Sequence, residues 1–303
     1  MNNIALVFPG QGSQYIGMCR DLSSSDYFND YFGKASDLFG VDLLSYCYNG
    51  PDDKLNSTYI AQPAILIHSI IIDKILKWNK INVHAVAGHS LGEYSALISS
   101  GIISFDDCLK ILKVRCQEMQ IATEKYNGTM VAVISDNLKL IKKICENFSK
   151  TVIANINSNN QIIVSGPLDE IDKTIYLLKK NNIRKVIKLN VSGAFHSPLM
   201  SSARDNLTAI LGSIEFNDAK FPIVQNATAE AEMSGNELKN NLISQLESPV
   251  KWSDSIELIS NSGFDHFIEC GPGKILSGLN HKILKNSINL NIGTIQQINE
   301  FEA

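Results

Sequence analysis

The sequence predicts an α/β fold in which a parallel-sheet core carries a small inserted subdomain of the ferredoxin-like type. The first observation is that short apolar strands alternate with helical stretches in the first part of the chain, as a mostly parallel sheet requires. The second is that the middle of the chain changes to the order βαββαβ, which defines the ferredoxin-like unit. The third is length, because 303 residues are enough to bury a full core.

The first part of the chain supplies the alternating elements. Ile4 to Phe8 is a short apolar run closed by Pro9-Gly10-Gln11-Gly12, which predicts a buried strand followed by a loop. Ser104, with Asp107 three residues later, opens a helix with a capping-box pattern. The other elements predicted here are a helix over Gln62 to Trp78, a strand over Ala85 to Ala87 and a helix that begins at Glu93.

Residues 123–192 are predicted to form the inserted subdomain, and residues 1–122 and 193–303 to form the catalytic subdomain around it. The predicted strands of the insertion are Thr129 to Ile134, Thr151 to Ile156, Gln161 to Val164 and Lys185 to Val191, and its predicted helices are Leu138 to Phe148 and Leu168 to Lys180. Helix and strand then alternate again, with a strand over Asp265 to Glu269 before a glycine-rich loop.

Composition and charge argue against several classes of protein. The net charge of −4 and the pI near 5.9 do not suit a nucleic-acid binder, whose domain is usually basic. The six cysteines have no paired spacing, so we predict buried thiols in a reducing compartment, without disulfides or a metal site. Met1-Asn2-Asn3 lacks the basic character of a signal peptide, and Ala61 to Ile72 suits a core helix better than a membrane span. We therefore expect a cytoplasmic protein.

Gly88-His89-Ser90-Leu91-Gly92 is a GxSxG sequence between a predicted strand and a predicted helix. The glycines allow a sharp turn that lifts the serine hydroxyl clear of the backbone, and the residue after the serine presents its N–H where an oxyanion forms. Such a pattern also occurs by chance in ordinary strand–helix turns, but the flanking elements favour the catalytic interpretation. Ser90 is therefore the candidate nucleophile.

A serine nucleophile needs a base, and six histidines are available. His89 is adjacent to the nucleophile, where its side chain is poorly placed to accept the serine proton, and His68 lies in an apolar helix that suits a core residue. His196 follows Ser192-Gly193-Ala194-Phe195 at a predicted strand end, where α/β folds place their sites. A single loop histidine is more often structural than catalytic, but the presence of Ser90 favours His196 as the base.

Arg115 lies on the apolar stripe of its predicted helix, together with Cys108, Ile111, Leu112 and Met119. A buried guanidinium is costly unless an anion neutralises it. One interpretation is an internal salt bridge to one of the 31 acidic residues. The other is a site for a substrate carboxylate, since arginine matches carboxylate geometry with two parallel hydrogen bonds.

These residues and several further motifs resemble the malonyl-CoA:acyl-carrier-protein transacylase family, the acyltransferases of fatty-acid and polyketide synthesis. The resemblance runs almost from end to end, and several motifs in a fixed order are more specific than one GxSxG sequence. The motifs are Phe8-Pro9-Gly10-Gln11-Gly12-Ser13-Gln14, Gly88-His89-Ser90-Leu91-Gly92-Glu93-Tyr94, Asn155 to Gly166, Gly193-Ala194-Phe195-His196-Ser197-Pro198, Gln245-Leu246 with Pro249-Val250, and Glu269 to Gly273. The family fold is a hydrolase-like α/β domain with a ferredoxin-like insertion.

The resemblance implies a catalytic role for five of these residues. Ser90 would be the nucleophile and His196 its base. Gln245 would orient the histidine, with its side-chain carbonyl accepting the imidazole N–H. The backbone N–H groups of Gln11 and Leu91 would form the oxyanion hole.

The same resemblance implies malonyl-CoA as substrate and acyl carrier protein as partner, in a monomeric enzyme without a metal or redox cofactor. Arg115 would bind the malonyl carboxylate, and Gly193-Ala194-Phe195-His196 is similar to the malonyl-preferring members of the family. Carrier proteins of this kind are acidic, so two basic clusters are candidate docking surfaces, although most single lysines are simply solvated. The clusters are Arg184, Lys185 and Lys188, and Lys274, His281 and Lys282.

Two other functions stay open from the sequence. An α/β-hydrolase esterase or thioesterase has its histidine late in the chain, after the acidic residue of the triad. Here His196 lies mid-chain, and an inward-facing Arg115 has no obvious role in an esterase. The second alternative is a non-catalytic homologue that only binds a carrier protein, and the intact set of Ser90, His196 and Arg115 argues against it.

Overall fold

The structure, a computed structural model, describes residues 3–79 and 81–302. The strands are β1 (Ile4–Phe8), β2 (Val83–Gly88), β3 (Gly128–Ile134), β4 (Val152–Ser158), β5 (Gln161–Pro167), β6 (Val186–Lys188), β7 (Ile223–Val224), β8 (Ala231–Glu232), β9 (His266–Cys270) and β10 (Ile288–Ile292). The helices are α1 (Phe28–Phe39), α2 (Leu43–Asn49), α3 (Asp52–Leu55), α4 (Thr58–Trp78), α5 (Gly92–Ser100), α6 (Phe105–Lys125), α7 (Leu138–Cys145), α8 (Leu168–Lys180), α9 (Arg204–Gly212), α10 (Gly235–Gln245), α11 (Trp252–Asn261), α12 (Ile275–Ile283) and α13 (Ile295–Glu302).

The larger sheet has six strands in the order β10-β9-β1-β2-β7-β8, and all of its pairings are parallel except that of β7 with β8. The central strand β1 is a continuous apolar run because it is covered on both faces. Leu6 and Phe8 belong to the larger core cluster, whereas Ala5 and Val7 belong to a second cluster. The predicted parallel-sheet core is therefore confirmed.

The smaller sheet has four antiparallel strands in the order β4-β5-β3-β6, with α7 and α8 between its strands in sequence. Val131 and Val164 pack in a separate core cluster with residues of the two helices. Met130, Ala132 and Ile163 alternate with them and join the larger core cluster. The predicted βαββαβ unit is confirmed as a separate antiparallel sheet, and its boundaries at residues 123 and 192 stay a prediction.

The two sheets are connected by backbone hydrogen bonds as well as by side chains. In β4, the N–H of Ile156 donates to the carbonyl of Val250, 2.9 Å away. The N–H of Val250 donates in turn to the carbonyl of Ala154, 2.8 Å away. These bonds fix the position of the smaller sheet relative to the segment that follows α10.

Several element ends differ from the predicted ones for local reasons. Helix α4 begins four residues before the predicted start, since Ser57 is an extended N-cap with ψ of 142°. Helix α7 ends three residues early because the Asn147 side chain donates to the carbonyls of Lys143 and Ile144. Strand β6 is shorter than predicted, since β3 offers it only three paired residues.

Two further predictions are confirmed. Helix α6 begins directly after Ser104, as predicted: the Ser104 hydroxyl caps the helix by accepting from the Asp107 N–H at 3.0 Å, and it donates to the Asp107 carboxylate at 2.8 Å. All six cysteines are buried free thiols. Helix α4 is long and apolar enough, by length and composition, to cross a membrane, and most of it is buried inside the protein, as a core helix is.

Candidate active site

The turn between β2 and α5 presents Ser90 at the carboxyl edge of the larger sheet. Ser90 has a φ of 52°, a left-handed backbone conformation that residues other than glycine rarely adopt. A Cβ on Gly88 would overlap the backbone of Gly92, and a Cβ on Gly92 would overlap the carbonyl of Phe8. Both glycines are therefore required for this turn, as the GxSxG pattern predicts.

The structure brings His196 to Ser90 although 106 residues separate them in sequence. The Ser90 Oγ lies 2.8 Å from the His196 Nε2. The His196 Nδ1 lies 2.9 Å from the backbone carbonyl of Gln245, which only accepts hydrogen bonds and therefore requires the proton on Nδ1. The Nε2 lone pair then faces the serine hydroxyl, which is the geometry of a general base.

The predicted contact between His196 and the side-chain carbonyl of Gln245 is wrong. The backbone carbonyl makes that contact because Gln245 is the last residue of α10, where carbonyls have no partner within the helix. The Gln245 side chain instead donates to the Glu93 carboxylate at 2.9 Å and to the Ser90 carbonyl at 3.2 Å. Its Oε1 accepts a longer bond of 3.4 Å from Arg115.

Burial lowers the pKa of His196 to about 3, because the charged imidazolium loses its hydration. The hydrogen bond to the Gln245 carbonyl opposes this shift, and the positive charge of Arg115 adds to it. His196 is therefore neutral at physiological pH and able to accept a proton from Ser90.

Arg115 lies at the base of the site with 1% of its surface exposed. Its Nη1 donates to the Gln62 Oε1 at 2.6 Å, and its Nη2 donates to the Ser90 Oγ at 3.2 Å. Its charge also lies 5.3 Å from the centre of the Tyr94 ring. Among the described residues, no carboxylate forms a salt bridge with this guanidinium, so the internal salt bridge is absent there and the Nε has no hydrogen-bond partner.

Gln11 and Leu91 both line the cleft beside Ser90. Within residues 3–79 and 81–302, neither backbone N–H has a hydrogen-bond acceptor in the protein. Unpaired backbone N–H groups beside a nucleophile are the donors that an oxyanion needs. The structure therefore agrees with the predicted oxyanion hole without testing its role.

A cleft of about 440 Å³ leads to Ser90 between the two sheets. Its walls include apolar side chains from the smaller sheet and from α12, and amides from β4 and β5. The apolar residues include Met130, Ala132, Ile163, Ile275, Leu276 and Leu279, and the amides include Asn155, Asn157 and Gln161. Such a cleft suits a long, narrow substrate whose reactive end reaches the base of the site.

The other two histidines that the sequence analysis weighed are not bases for Ser90. The His89 Nε2 lies 2.9 Å from the Asn157 Oδ1, so its ring bonds to the smaller sheet. His68 is fully buried in α4, and burial lowers its pKa to about 3. Both placements agree with the expectation that His89 is poorly placed as a base and that His68 is a core residue.

Sequence analysis missed two residues of the site. Gln62, which bonds to Arg115, is a buried amide in the apolar helix α4, and that contrast was the available signal. Asn226 bonds to the turn that carries Ser90, and it follows a strand of only two residues. No pattern around Asn226 in the sequence indicates this contact.

An activated serine beside unpaired backbone N–H groups is the arrangement that acyl transfer needs. The acyl transferase domain family matches residues 5–295, and the chain belongs to this family. The malonyl CoA-acyl carrier protein transacylase of Staphylococcus aureus (strain MRSA252) is 38% identical over 303 residues, covering 98% of each chain.

Two solved structures share the fold over nearly the whole chain. The malonyl-CoA:acyl carrier protein transacylase of Xanthomonas oryzae pv. oryzae has a TM-score of 0.94 and 33% identity, over 99% of this chain and 98% of that one. A malonyl-transacylase solved in complex with a type II PKS acyl-carrier protein has a TM-score of 0.93 and 32% identity, over 98% of both chains. The predicted family and fold class are thereby confirmed.

Proposed function

We propose that this enzyme transfers the malonyl group of malonyl-CoA to the phosphopantetheine thiol of an acyl carrier protein, and so supplies fatty-acid synthesis. The observation that carries the proposal is the buried Arg115 guanidinium, which has no salt bridge among the described residues and lies 3.2 Å from the Ser90 Oγ. A desolvated cation beside a nucleophile favours an acyl group that carries its own anion. The names of the relatives agree with this chemistry.

In the first half-reaction, His196 Nε2 takes the Ser90 proton while Oγ attacks the thioester carbonyl. The tetrahedral oxyanion accepts hydrogen bonds from the N–H groups of Gln11 and Leu91. When the C–S bond breaks, His196 returns its proton to the CoA sulfur, and the malonyl group stays on Ser90 as an ester. Burial lowers the pKa of His196, so the imidazole is neutral before the reaction and its Nε2 lone pair is free to accept the proton.

In the second half-reaction, the phosphopantetheine thiol of the carrier protein occupies the place that CoA has left. His196 takes the thiol proton, the sulfur attacks the malonyl ester, and the serine oxygen leaves with the proton from His196. The sequence of steps is ping-pong, because one thiol leaves before the other enters. Acyl transfer between a thiol and a hydroxyl needs no electron transfer, and backbone N–H groups stabilise the oxyanion, so the proposal includes no redox cofactor or metal.

An esterase or thioesterase is the less suitable function for this site. The group that orients His196 is the backbone carbonyl of Gln245, whereas hydrolases of this class use a side-chain carboxylate. Moreover, a buried guanidinium next to Ser90 disfavours neutral acyl groups, because they leave the charge without a partner. The non-catalytic alternative does not explain why Ser90 and His196 lie at 2.8 Å.

The carrier protein is proposed to dock beside α12. In the second basic cluster, Lys274 precedes this helix, and His281 and Lys282 lie in its last turn. The helix also contributes Ile275 and Leu276 to the cleft wall. In the first cluster, Lys188 is already paired with Asp172 at 2.7 Å. Reversing the charge at Lys274 and Lys282 is expected to raise KM for the carrier protein and leave KM for malonyl-CoA unchanged. A KM for the carrier protein equal to that of the wild type would eliminate this surface as the docking site.

The monomeric state and the cytoplasmic location stay predictions.

The proposed function is tested by weighing the intact protein after incubation with malonyl-CoA or acetyl-CoA, without carrier protein. We expect a malonyl adduct on the wild type, no adduct on Ser90→Ala, and a reduced adduct on Arg115→Ala. Release of free malonate without an adduct would support a thioesterase. Neither adduct nor turnover would support a binding protein and contradict the proposal.

A further inference from the structure

The side chain of Asn226 connects the two ends of the turn that carries Ser90. Its Nδ2 donates to the Gly88 carbonyl at 2.6 Å, and its Oδ1 accepts from the Ser90 N–H at 2.7 Å. We propose that Asn226 is a positioning residue that holds Ser90 in its reactive conformation. The inference rests on the proposed function only in treating Ser90 as the nucleophile.

The turn needs such a restraint because of its backbone. Ser90 has a φ of 52°, which is disfavoured for any residue with a Cβ. Strands β2 and β7 pair in parallel only as far as Ala87 and Val224, just before the turn. Beyond that point, the amide of Asn226 donates and accepts as the next peptide group of β7 would. The side chain thereby continues the hydrogen-bond ladder around a turn that has left the sheet.

Asn226 is itself held on both sides, so its side chain has a defined direction. Its backbone N–H donates to the Glu93 carboxylate at 3.0 Å, and its carbonyl accepts from the Lys251 N–H at 3.0 Å. Only 1% of the residue is exposed. A buried amide whose nitrogen and oxygen are both hydrogen-bonded costs little and is rigid.

The two hydrogen bonds from the Asn226 side chain affect two groups that take part in the reaction, the Ser90 Oγ and the Leu91 N–H. With Ser90 held, its Oγ lies 2.8 Å from the His196 Nε2. The peptide group that follows carries the Leu91 N–H, so its direction also depends on the Ser90 conformation. Without Asn226, Ser90 is free to relax toward an ordinary conformation, which moves both groups away from the thioester. The hydrogen bonds of Arg115 go to Gln62, Ser90 and Gln245 and not to Asn226, so binding of the malonyl carboxylate is expected to persist.

The test compares Asn226→Ala with Asn280→Ala, a matched change at another fully buried asparagine. Asn280 accepts from the Trp252 Nε1 at 3.0 Å and does not line the cleft. The readout is the rate at which a fluorophosphonate phosphonylates Ser90: the Oγ–P bond forms, the P–F bond breaks, fluoride leaves, and the serine proton passes to His196. Fluorophosphonates have no carboxylate, so this rate does not require carboxylate binding by Arg115.

We expect Asn226→Ala to slow labelling by about 10- to 100-fold, because misplacing the reacting atoms by about 1 Å has an effect of this size. Asn280→Ala is expected to stay within about threefold of the wild type, since its side-chain bond, to Trp252, involves neither Ser90 nor His196. With malonyl-CoA, kcat should fall in Asn226→Ala by the same factor as labelling, while KM changes by less than about threefold. Equal labelling rates for the two folded variants would overturn the inference.

Asn226→Asp decides the question if the alanine variant does not fold. It keeps the side-chain size and the acceptor for the Ser90 N–H, and replaces the donor to Gly88 by an oxygen. Labelling slower than the wild type supports the two-ended restraint, and wild-type labelling in a folded Asn226→Asp protein overturns it. A wild type that reacts with fluorophosphonate but not with malonyl-CoA would contradict the proposed function alone, and the labelling rates would still decide the role of Asn226.

Discussion

Replacement of Arg115 by methionine is expected to separate recognition of the malonyl group from the folding of the protein. Methionine has a similar length and suits the apolar stripe of α6, in which Arg115 is 1% exposed. The change removes the buried charge and its bonds to Gln62 and Ser90. Gln62 keeps a weak donor, the Cys116 thiol at 3.3 Å.

The magnitude follows from the bonds that a malonyl carboxylate would make with the guanidinium. Two hydrogen bonds to a charged group contribute about 1.5–3 kcal/mol each. Taking about 3 kcal/mol as the net loss, acylation by malonyl-CoA should fall by about 100-fold or more. Acylation by acetyl-CoA should stay level or rise, since no anion was there to lose. For stability, removal of the buried charge offsets the loss of donors to neighbouring amides and of the favourable interaction with the Glu93 carboxylate, so the free energy of unfolding should change by no more than about 1–2 kcal/mol.

The assay is the rate of Ser90 acylation by each CoA ester, followed by rapid quench and intact mass, with urea unfolding measured on the same samples. Arg204→Met is the control, because it removes an exposed arginine whose partner is Glu247. The ratio of the malonyl rate to the acetyl rate should fall by at least about 100-fold in Arg115→Met and stay unchanged in Arg204→Met. An unchanged ratio in folded Arg115→Met would refute the assignment of Arg115 as the carboxylate site.

Three further predictions concern the base, the turn and the cleft wall. Burial lowers the pKa of His196 to about 3, below the ordinary histidine value of about 6.5. The rate constant of acylation should therefore stay level as the pH falls through about 6.5 and should fall only as His196 is protonated near pH 3. A pH–rate profile with an inflection near about 6.5 would contradict this prediction. Gly88→Ala should lower the free energy of unfolding in urea by on the order of 3 kcal/mol, because the new Cβ would overlap the backbone of Gly92. The same change should abolish fluorophosphonate labelling of Ser90. Labelling at the wild-type rate would show that the turn tolerates a Cβ at this position. Glu269→Ala should lower the free energy of unfolding by about 2 kcal/mol, because the Glu269 carboxylate accepts hydrogen bonds from N–H groups in the first turn of α12. Since α12 lines the cleft, KM for malonyl-CoA should also rise. An unchanged Tm and KM would show that the position of α12 does not depend on Glu269.

The fold was predictable to the extent that its elements repeat local patterns. The apolar run of β1 and the capping box of α6 are local signals, and each lies where the structure places the element. The apolar residues on one face of α6 likewise predicted that Arg115 points inward, and Arg115 is buried in the structure. The turn at Ser90 was predictable because two nearby glycines are needed to form it.

Contacts between distant segments were not predictable from local patterns. Whether His196 meets the backbone or the side chain of Gln245 depends on where α10 ends relative to the histidine loop, and the sequence does not contain that distance. Asn226 reaches Ser90 across 136 residues, because β7 pairs with β2. The pairing of strands is therefore the information that sequence patterns lacked.

The central claim is that Ser90 carries a malonyl group between two thiols. The most direct test is to form the malonyl-enzyme, remove free CoA, and mix it with carrier protein bearing phosphopantetheine, weighing both proteins over time. We predict that the enzyme returns to its unmodified mass as the carrier protein gains one malonyl group. Loss of the malonyl group from the enzyme as free malonate, with the carrier protein unchanged, would contradict the claim.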